Sequence, residues 1–178
     1  TKEDSYQADL FSVFEEKPAE KLSDEYKEVT LSDLKEKVGS LFAIQIKDEN
    51  AYISTKEENL IFSGELSSLA FLFERDFICF DAKAMYHALR KHEITLTSPK
   101  KDLMLYSYVI DSSKGQRSLS SVALEYLGYE LPEDKPYAHT LLPLFELLCK
   151  RAEKDSCLSI IEKIELPLSL LLAQMEEA

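Results

Sequence analysis

The pattern of apolar and polar residues predicts strands in the first part of the chain and mostly helices in the remainder. Short apolar runs that favour β structure indicate strands at residues 41–46, 51–54, 60–62 and 77–80. Apolar residues at helical spacing predict helices at residues 30–38, 65–75, 82–91, 98–110, 119–127, 137–151 and 159–178. This order predicts an α/β fold in which helices flank a mixed sheet.

Residues with capping or breaking preferences locate several helix ends. Thr30 has the character of an N-cap for the first helix. Ser98 followed by Pro99 predicts another helix start, because proline is favoured at the first helical position. That start would place Asp102 in the first turn of its helix. Pro167 predicts a break or kink in the last helix.

The first 26 residues have no stable hydrophobic period. Acidic residues are mixed with scattered aromatics, and a proline within residues 17–21 interrupts any helix. We therefore predict a linker at residues 1–26, followed by a domain that begins near Tyr26.

The charge balance bears on nucleic-acid binding. The chain has 33 acidic and 21 basic residues, a formal net charge of −12, and its densest basic pairs are Lys100-Lys101 and Lys150-Arg151. Because affinity for DNA draws on clustered lysine and arginine, we expect this domain alone to bind DNA weakly or not at all. Any contact with DNA would then depend on the protein to which the domain is attached.

The apolar content points to a cytoplasmic protein without a membrane partner. No apolar run reaches the roughly 18 residues that a membrane span needs. The cysteines, Cys79, Cys149 and Cys157, are widely spaced in apolar surroundings, without the spacing of a metal site or a disulfide framework. We interpret them as buried thiols.

Three segments carry recognisable motifs. The first extends from Phe80-Asp-Ala-Lys83 to Ile94-Thr-Leu96, and the second combines residues 102–111 with residues 118–128. The third reads Ile-Glu-Leu-Pro-Leu at 164–168 and Leu-Ala-Gln-Met-Glu at 172–176. Together they resemble the 3′–5′ exonuclease domain of bacterial family A DNA polymerases (DNA polymerase I). The resemblance covers roughly residues 27–178, is weakest before residue 77 and is most specific in the third segment.

This resemblance implies a ribonuclease H-like fold of the DEDD exonuclease type. It divides the chain into a linker from an upstream domain (1–26), an exonuclease-like domain (27–165) and the start of the helix that leads into the polymerase domain (166–178). The parent chain would then be a DNA-directed DNA polymerase of replication and repair. Its polymerase domain would be the partner of this domain, would supply the contact with DNA and would require Mg²⁺, whereas no cofactor is expected for this domain itself.

Active members of the family use two divalent cations, held by carboxylates, to hydrolyse phosphodiester bonds. Their motifs are Asp-x-Glu on the first strand, an Asp after Asn-x-Lys, an Asp that opens the next helix, and Tyr-x-x-x-Asp. Aligning residues 41–46 with the first strand places Gln45 and Lys47 at the Asp and Glu positions. Aligning them with the second strand deletes the strand that carries the motif. Neither alignment supplies the acids.

The later motifs keep one acid. Met85 takes the place of the second-motif Asp, Asp102 matches the third, and Tyr137 aligns with the last motif, with Leu141 where its Asp would be. One carboxylate cannot hold two metals, so we predict no catalytic and no metal-binding residue, with Asp102 and Tyr137 as vestigial positions. Asp102 also suits a structural role in the first turn of a helix, and Asp81 suits a turn or cap.

Three functions remain open. The first is a nuclease-inactive structural domain that separates the polymerase domain from an upstream 5′-nuclease domain. The second is a residual metal-dependent 3′–5′ exonuclease with shifted ligands such as Asp48, Glu49 or Asp81, and the third is a free-standing acidic protein-interaction domain.

An apolar stripe near the C-terminus predicts a surface for a partner. Its members recur at helical spacing after Pro167 and are Leu168, Leu171, Leu172 and Met175. Because the family's corresponding segment leads into the polymerase domain, we expect that domain to cover the stripe.

Overall fold

The computed structural model describes residues 23–177. Most of the predicted linker at residues 1–26 therefore lies outside the described residues. The few described residues before the first strand adopt no regular secondary structure, and Ser23 is fastened through its carbonyl oxygen, which accepts a hydrogen bond from the Asn59 side chain (2.7 Å).

Six strands form one mixed sheet in the order β1-β4-β3-β2-β5-β6. β2 and β4 are antiparallel to β3, which lies between them, whereas β1 is parallel to β4, and β5 is parallel to both β2 and β6. The strands are β1 (Lys27–Glu28), β2 (Ala43–Lys47), β3 (Asn50–Ser54), β4 (Asn59–Phe62), β5 (Ile78–Cys79) and β6 (Lys101–Asp102).

Helices connect and cover these strands. The first half of the chain contributes α1 (Leu31–Lys37), a 3₁₀ turn (Leu66–Leu69) that continues into α2 (Ala70–Phe73), and α3 (Ala82–Arg90). The second half contributes α4 (Leu103–Ile110), a 3₁₀ turn (Ser112–Lys114), α5 (Leu119–Leu127), α6 (Ala138–Lys154), α7 (Leu158–Ile160), a π-helical segment (Ile161–Glu165) and α8 (Leu166–Glu177). Within residues 23–177, no helix has the length and apolar character that crossing a membrane requires.

The hydrophobic core has two parts, one on each face of the sheet. Consecutive residues of β2 divide between them, with Ile44 in one cluster and Ala43 in the other, because successive strand side chains point to opposite faces. Cys79 and Ile78 of β5 divide in the same way. The first cluster contains side chains of α1–α3, and the second contains side chains of α4–α6 and the π-helical segment. The predicted α/β sheet with flanking helices is therefore confirmed.

The predicted start of the fourth helix is wrong. Instead of an N-cap at Ser98, the structure has the short strand β6, whose Asp102 pairs with Cys79 of β5, and the helix begins at Leu103. The local proline signal is outweighed by the hydrogen bonds that join β6 to the sheet edge. Asp102 is consequently the N-cap itself and not a residue of the first turn.

Smaller differences concern segments whose conformation depends on distant neighbours. Strand β1 was not predicted, because two exposed residues that pair with β4 show no apolar pattern. Only Cys79 of the three cysteines is fully buried; Cys149 and Cys157 are partly exposed at the margin of the second core cluster. Near Pro167 the last helix continues through π-helical residues 161–165 and does not break.

Candidate functional site

A cleft opens where the parallel strands β2 and β5 end. The chain leaves β5 through Phe80 and Asp81 to begin α3, while the start of α6 approaches from the other side. Side chains of Gln45, Met85 and Tyr137 line this cleft together with Asp81, and its volume is about 360 Å³. The structure therefore brings together one position from each of three sequence motifs.

Gln45 uses its side-chain amide to hold the start of α6. Its side-chain oxygen accepts a hydrogen bond from the backbone N–H of Tyr137 (2.8 Å), and the residue is only 7% exposed. The N–H groups in the first turn of a helix have no partner within the helix, so an outside acceptor near that end is stabilising. A neutral amide supplies this acceptor without the cost of burying a charge.

Met85 and Tyr137 contribute a thioether and a phenol to the cleft wall. Met85 projects from α3 and is nearly buried. Tyr137 is the residue directly before α6, and burial raises the pKa of its hydroxyl to about 12. This buried position directly before the helix suits a packing role for Tyr137.

Asp102 is bonded to the backbone of Asp81 but is not itself one of the lining residues of the cleft. Its exposure is 1%, and its carboxylate accepts three backbone hydrogen bonds. Oδ1 accepts from the N–H groups of Asp81 (2.8 Å) and Met104 (3.0 Å), and Oδ2 accepts from the N–H of Ala82 (2.9 Å). One side chain thus joins the N-terminal ends of α3 and α4.

The protonation of Asp102 reflects two opposed effects. Burial disfavours the charged form and raises the pKa, whereas the three backbone N–H groups favour the carboxylate and lower it. Burial is the larger effect, so the pKa of Asp102 rises to about 6.

The other positions of the sequence motifs lie apart from the cleft. Lys47 lines an adjoining cavity of about 340 Å³ and pairs with Asp48 (3.1 Å). Leu141 is fully buried in the second core cluster. Tyr137 and Leu141 are one turn apart along the chain, but only Tyr137 reaches the cleft.

The acids considered as substitute ligands have other partners. Asp48 and Glu49 form the β2–β3 turn in the left-handed region (φ 51° and 65°), and Glu49 pairs with His92 (3.0 Å). Asp81 caps α3 by accepting a hydrogen bond from the N–H of Ala84 (3.1 Å), as expected. Among residues 23–177, no group of three or more His, Cys, Asp or Glu side chains is placed to hold a metal ion.

The residues of the cleft do not match the donors that paired divalent cations require. Such cations prefer several anionic oxygens. The cleft offers the Gln45 amide, the Met85 thioether, which is a weak soft ligand, and the single carboxylate of Asp81. The donor set therefore does not fit a two-metal centre.

A pair of hydrogen bonds between Tyr26 and His139 could not be predicted from the sequence. The hydroxyl of Tyr26 lies 2.7 Å from Nδ1 of His139 and accepts a hydrogen bond from the His139 backbone N–H (2.9 Å). The Tyr26 ring also packs edge-on against Tyr52, with 5.2 Å between centroids. Because the partners are far apart in the chain, neither local spacing nor composition signals this anchor at the start of the domain.

The sequence matches a known protein family and a relative within it. The family model described as DNA polymerase I, ribonuclease H-like domain, matches residues 28–136. DNA polymerase I of Caldicellulosiruptor bescii is 27% identical to this chain over 137 residues, which are 71% of this chain. The match spans only 16% of the length of that polymerase.

Solved structures share the fold at low sequence identity. The POL domain of Pol1 from M. smegmatis, in complex with DNA primer-template and dNTP, superimposes with a TM-score of 0.67 and 23% identity, over 82% of this chain and 30% of that one. Brucella melitensis NrnC superimposes with a TM-score of 0.64 and 15% identity, over 83% of this chain and 90% of that one. These similarities confirm the predicted ribonuclease H-like fold.

Proposed function

The chain belongs to the DNA polymerase I ribonuclease H-like domain family, and we propose that it is a nuclease-inactive structural domain of a DNA polymerase that acts in replication and repair. The observation that carries this proposal is the chemistry of the cleft. Gln45 and Met85 stand where the resemblance expects acids, and Asp102 is buried outside the cleft with three backbone N–H groups as partners.

The position of β2 supports substitution and not deletion of the first motif. β2 lies between β3 and β5 near the middle of the sheet and is followed by two antiparallel strands. An antiparallel meander that starts next to the parallel strands is the arrangement expected if β2 is the first strand of the family fold. Gln45 and Lys47 then occupy the Asp and Glu positions.

The test is an exonuclease assay on the 178-residue chain. We expect no release of nucleotides from single-stranded or mismatched 3′ ends with Mg²⁺ or Mn²⁺, compared with a reaction without protein. An active 3′–5′ exonuclease serves as the positive control. Metal-dependent release that disappears in Asp81→Asn or in Asp48→Asn/Glu49→Gln would instead identify a residual exonuclease with shifted ligands.

The partner of the domain is proposed to be the polymerase domain of the same chain. One face of the continuous helical segment from α7 to α8 is exposed, with Met175 at 63% exposure. The exposed members are Ile160, Ile164, Leu168, Leu171, Leu172 and Met175, which we call the outer face. The opposite face is buried through Ile161, Leu166 and Ala173, so the helix is apolar on both sides, as helices enclosed between two bodies are.

Self-association of the isolated chain tests whether the outer face can bind an apolar partner surface. We expect the 178-residue chain to self-associate in sedimentation experiments and Leu171→Asp/Met175→Lys to be monomeric with an unchanged circular dichroism spectrum. Glu162→Lys/Lys163→Asp, which changes exposed charges next to the outer face, is the matched control and should associate like the wild type. Unfolding of the double variant would show that the outer face belongs to the core of this domain, and a monomeric wild type would argue against an adhesive surface.

A further inference from the structure

The last turn of α8 is held by a cluster of charged side chains on α3. Lys83 and His87 are one helical turn apart on the same side of α3 and both face the end of α8. Lys83 forms an ion pair with Glu176. His87 contacts two carboxylates, with Nε2 3.0 Å from Glu176 and Nδ1 2.5 Å from Glu177.

The geometry around His87 specifies its protonation. An ionised carboxylate only accepts hydrogen bonds, and a neutral imidazole carries one N–H donor. Two ring nitrogens that each face a carboxylate are both satisfied only when both carry hydrogen, which is the imidazolium form. The position of His87 in the last turn of α3 favours the same form, because the C-terminal end of a helix attracts positive charge.

Lys83 is a like charge near His87, but the two carboxylates outweigh it. Among the described residues, Glu176 and Glu177 face the ring from α8, Lys83 is the neighbouring cation on its own helix, and the Tyr86 ring lies edge-on at 5.6 Å. Arg90, one turn further along, donates to Thr95 (2.6 Å). The two carboxylates raise the pKa of His87, and Lys83 with His87 lowers the pKa of Glu176.

We propose that Lys83 and protonated His87 form a latch that fixes the last turn of α8. The latch loosens when His87 loses its proton. Leu166 and Ala173 anchor the preceding part of α8 in the core, and the latch attaches its last turn. The latch also sets the rotation of the outer face toward the partner domain; this last consequence rests on the proposed function, whereas the latch itself does not.

The protonation is tested by NMR titration of the three histidines in the 178-residue chain. We expect His87 to titrate above 6.5 and His139, whose pKa is lowered by burial, to titrate below 6.5. Glu176→Gln/Glu177→Gln should move the His87 midpoint down towards 6.5 and leave His139 unchanged. A wild-type His87 midpoint at or below 6.5 would overturn the latch, whatever the variants do.

The mechanical role is tested by amide hydrogen exchange of residues 173–177. Corrected for intrinsic rates, protection in His87→Gln should be about threefold lower than in the wild type below the His87 midpoint, the size expected for partly exposed ion pairs. Above that midpoint the two proteins should converge. His92→Gln, which removes a histidine–glutamate pair at the β2–β3 turn, is the control and should match the wild type. Equal protection in His87→Gln and wild type below the midpoint would show that the end of α8 does not depend on the latch.

Both measurements are independent of nuclease activity. A chain that degrades DNA would contradict the proposed function and leave the latch standing. A His87 titration midpoint at or below 6.5 would contradict the latch and leave the proposed function intact.

Discussion

The open cleft and the buried hydrogen-bond cluster around Asp102 use polar groups in different ways. In the cleft, Gln45, Met85 and Tyr137 present an amide, a thioether and a phenol. A short distance away, Asp102 uses both carboxylate oxygens to bind three backbone N–H groups at two helix starts. Both regions contact the beginning of α3, but the Asp102 carboxylate is the one that meets three backbone donors. The proposed function therefore assigns Asp102 to the fold and not to metal binding.

The largest effect should come from removing the acid of the buried cluster. Asp102→Ala leaves three backbone N–H groups without an acceptor and uncaps α4, so we expect it to lower the free energy of unfolding by about 2–4 kcal/mol. Urea denaturation followed by circular dichroism measures the change, and Asp48→Ala in the exposed β2–β3 turn is the control. If Asp102→Ala is as stable as the control, the structural explanation for Asp102 is wrong.

The pH dependence of stability tests the same group with a defined sign. Because the folded-state pKa of Asp102 is about 6 and the ordinary value is 3.8, the folded protein binds this proton more tightly than the unfolded chain. Stability from this group is therefore greatest at low pH and is lost as pH rises from about 4 to about 6, by about 1–3 kcal/mol. The measurement is the difference in unfolding free energy between the wild type and Asp102→Asn across that range. A difference that grows in favour of the wild type with rising pH would show that the three hydrogen bonds outweigh burial.

A smaller loss is expected from the polar residue of the cleft. Gln45→Ala removes the acceptor for the Tyr137 N–H and should lower the free energy of unfolding by about 1–2 kcal/mol. Lys47→Ala, on the same strand but paired with Asp48 at the surface, should have little effect. Thermal denaturation of both variants gives the comparison, and equal losses would mean that Gln45 has no special role at the start of α6.

The smallest effect is expected for ligands of the cleft itself. A Mn²⁺ titration should reveal no paired-ion site between Met85, Tyr137 and Asp102, because these residues supply too few anionic oxygens. Two ions within about 4 Å of each other would contradict this prediction.

The isolated chain, with a net charge of −12, should also bind DNA no more tightly than about 10⁻⁴ M at physiological salt. A micromolar, salt-sensitive affinity would instead reveal a local basic groove that binds DNA.

Local signals in the sequence were sufficient for several features. The apolar runs predicted strands β2–β5, and Thr30 is the predicted N-cap of α1, where the side chains of Thr30 and Asp33 each accept a hydrogen bond from the other residue's backbone N–H. Gly128 ends α5 in the left-handed conformation (φ 80°), which glycine adopts readily. Helical spacing predicted the apolar stripe of α8, and its members Leu168, Leu171, Leu172 and Met175 lie exposed on that helix. Each of these features is determined by residues a few positions apart.

Only the tertiary structure decided which polar groups form hydrogen bonds with each other. The bonds from Tyr137 to Gln45, from Ala82 to Asp102 and from His139 to Tyr26 join residues 92, 20 and 113 positions apart. Strand β6 likewise exists because β5 lies beside it, and for that reason Asp102 became a cap shared by two helices. Such contacts depend on how the elements pack, and hydrophobic periodicity carries information about the elements but not about the side chains that meet between them.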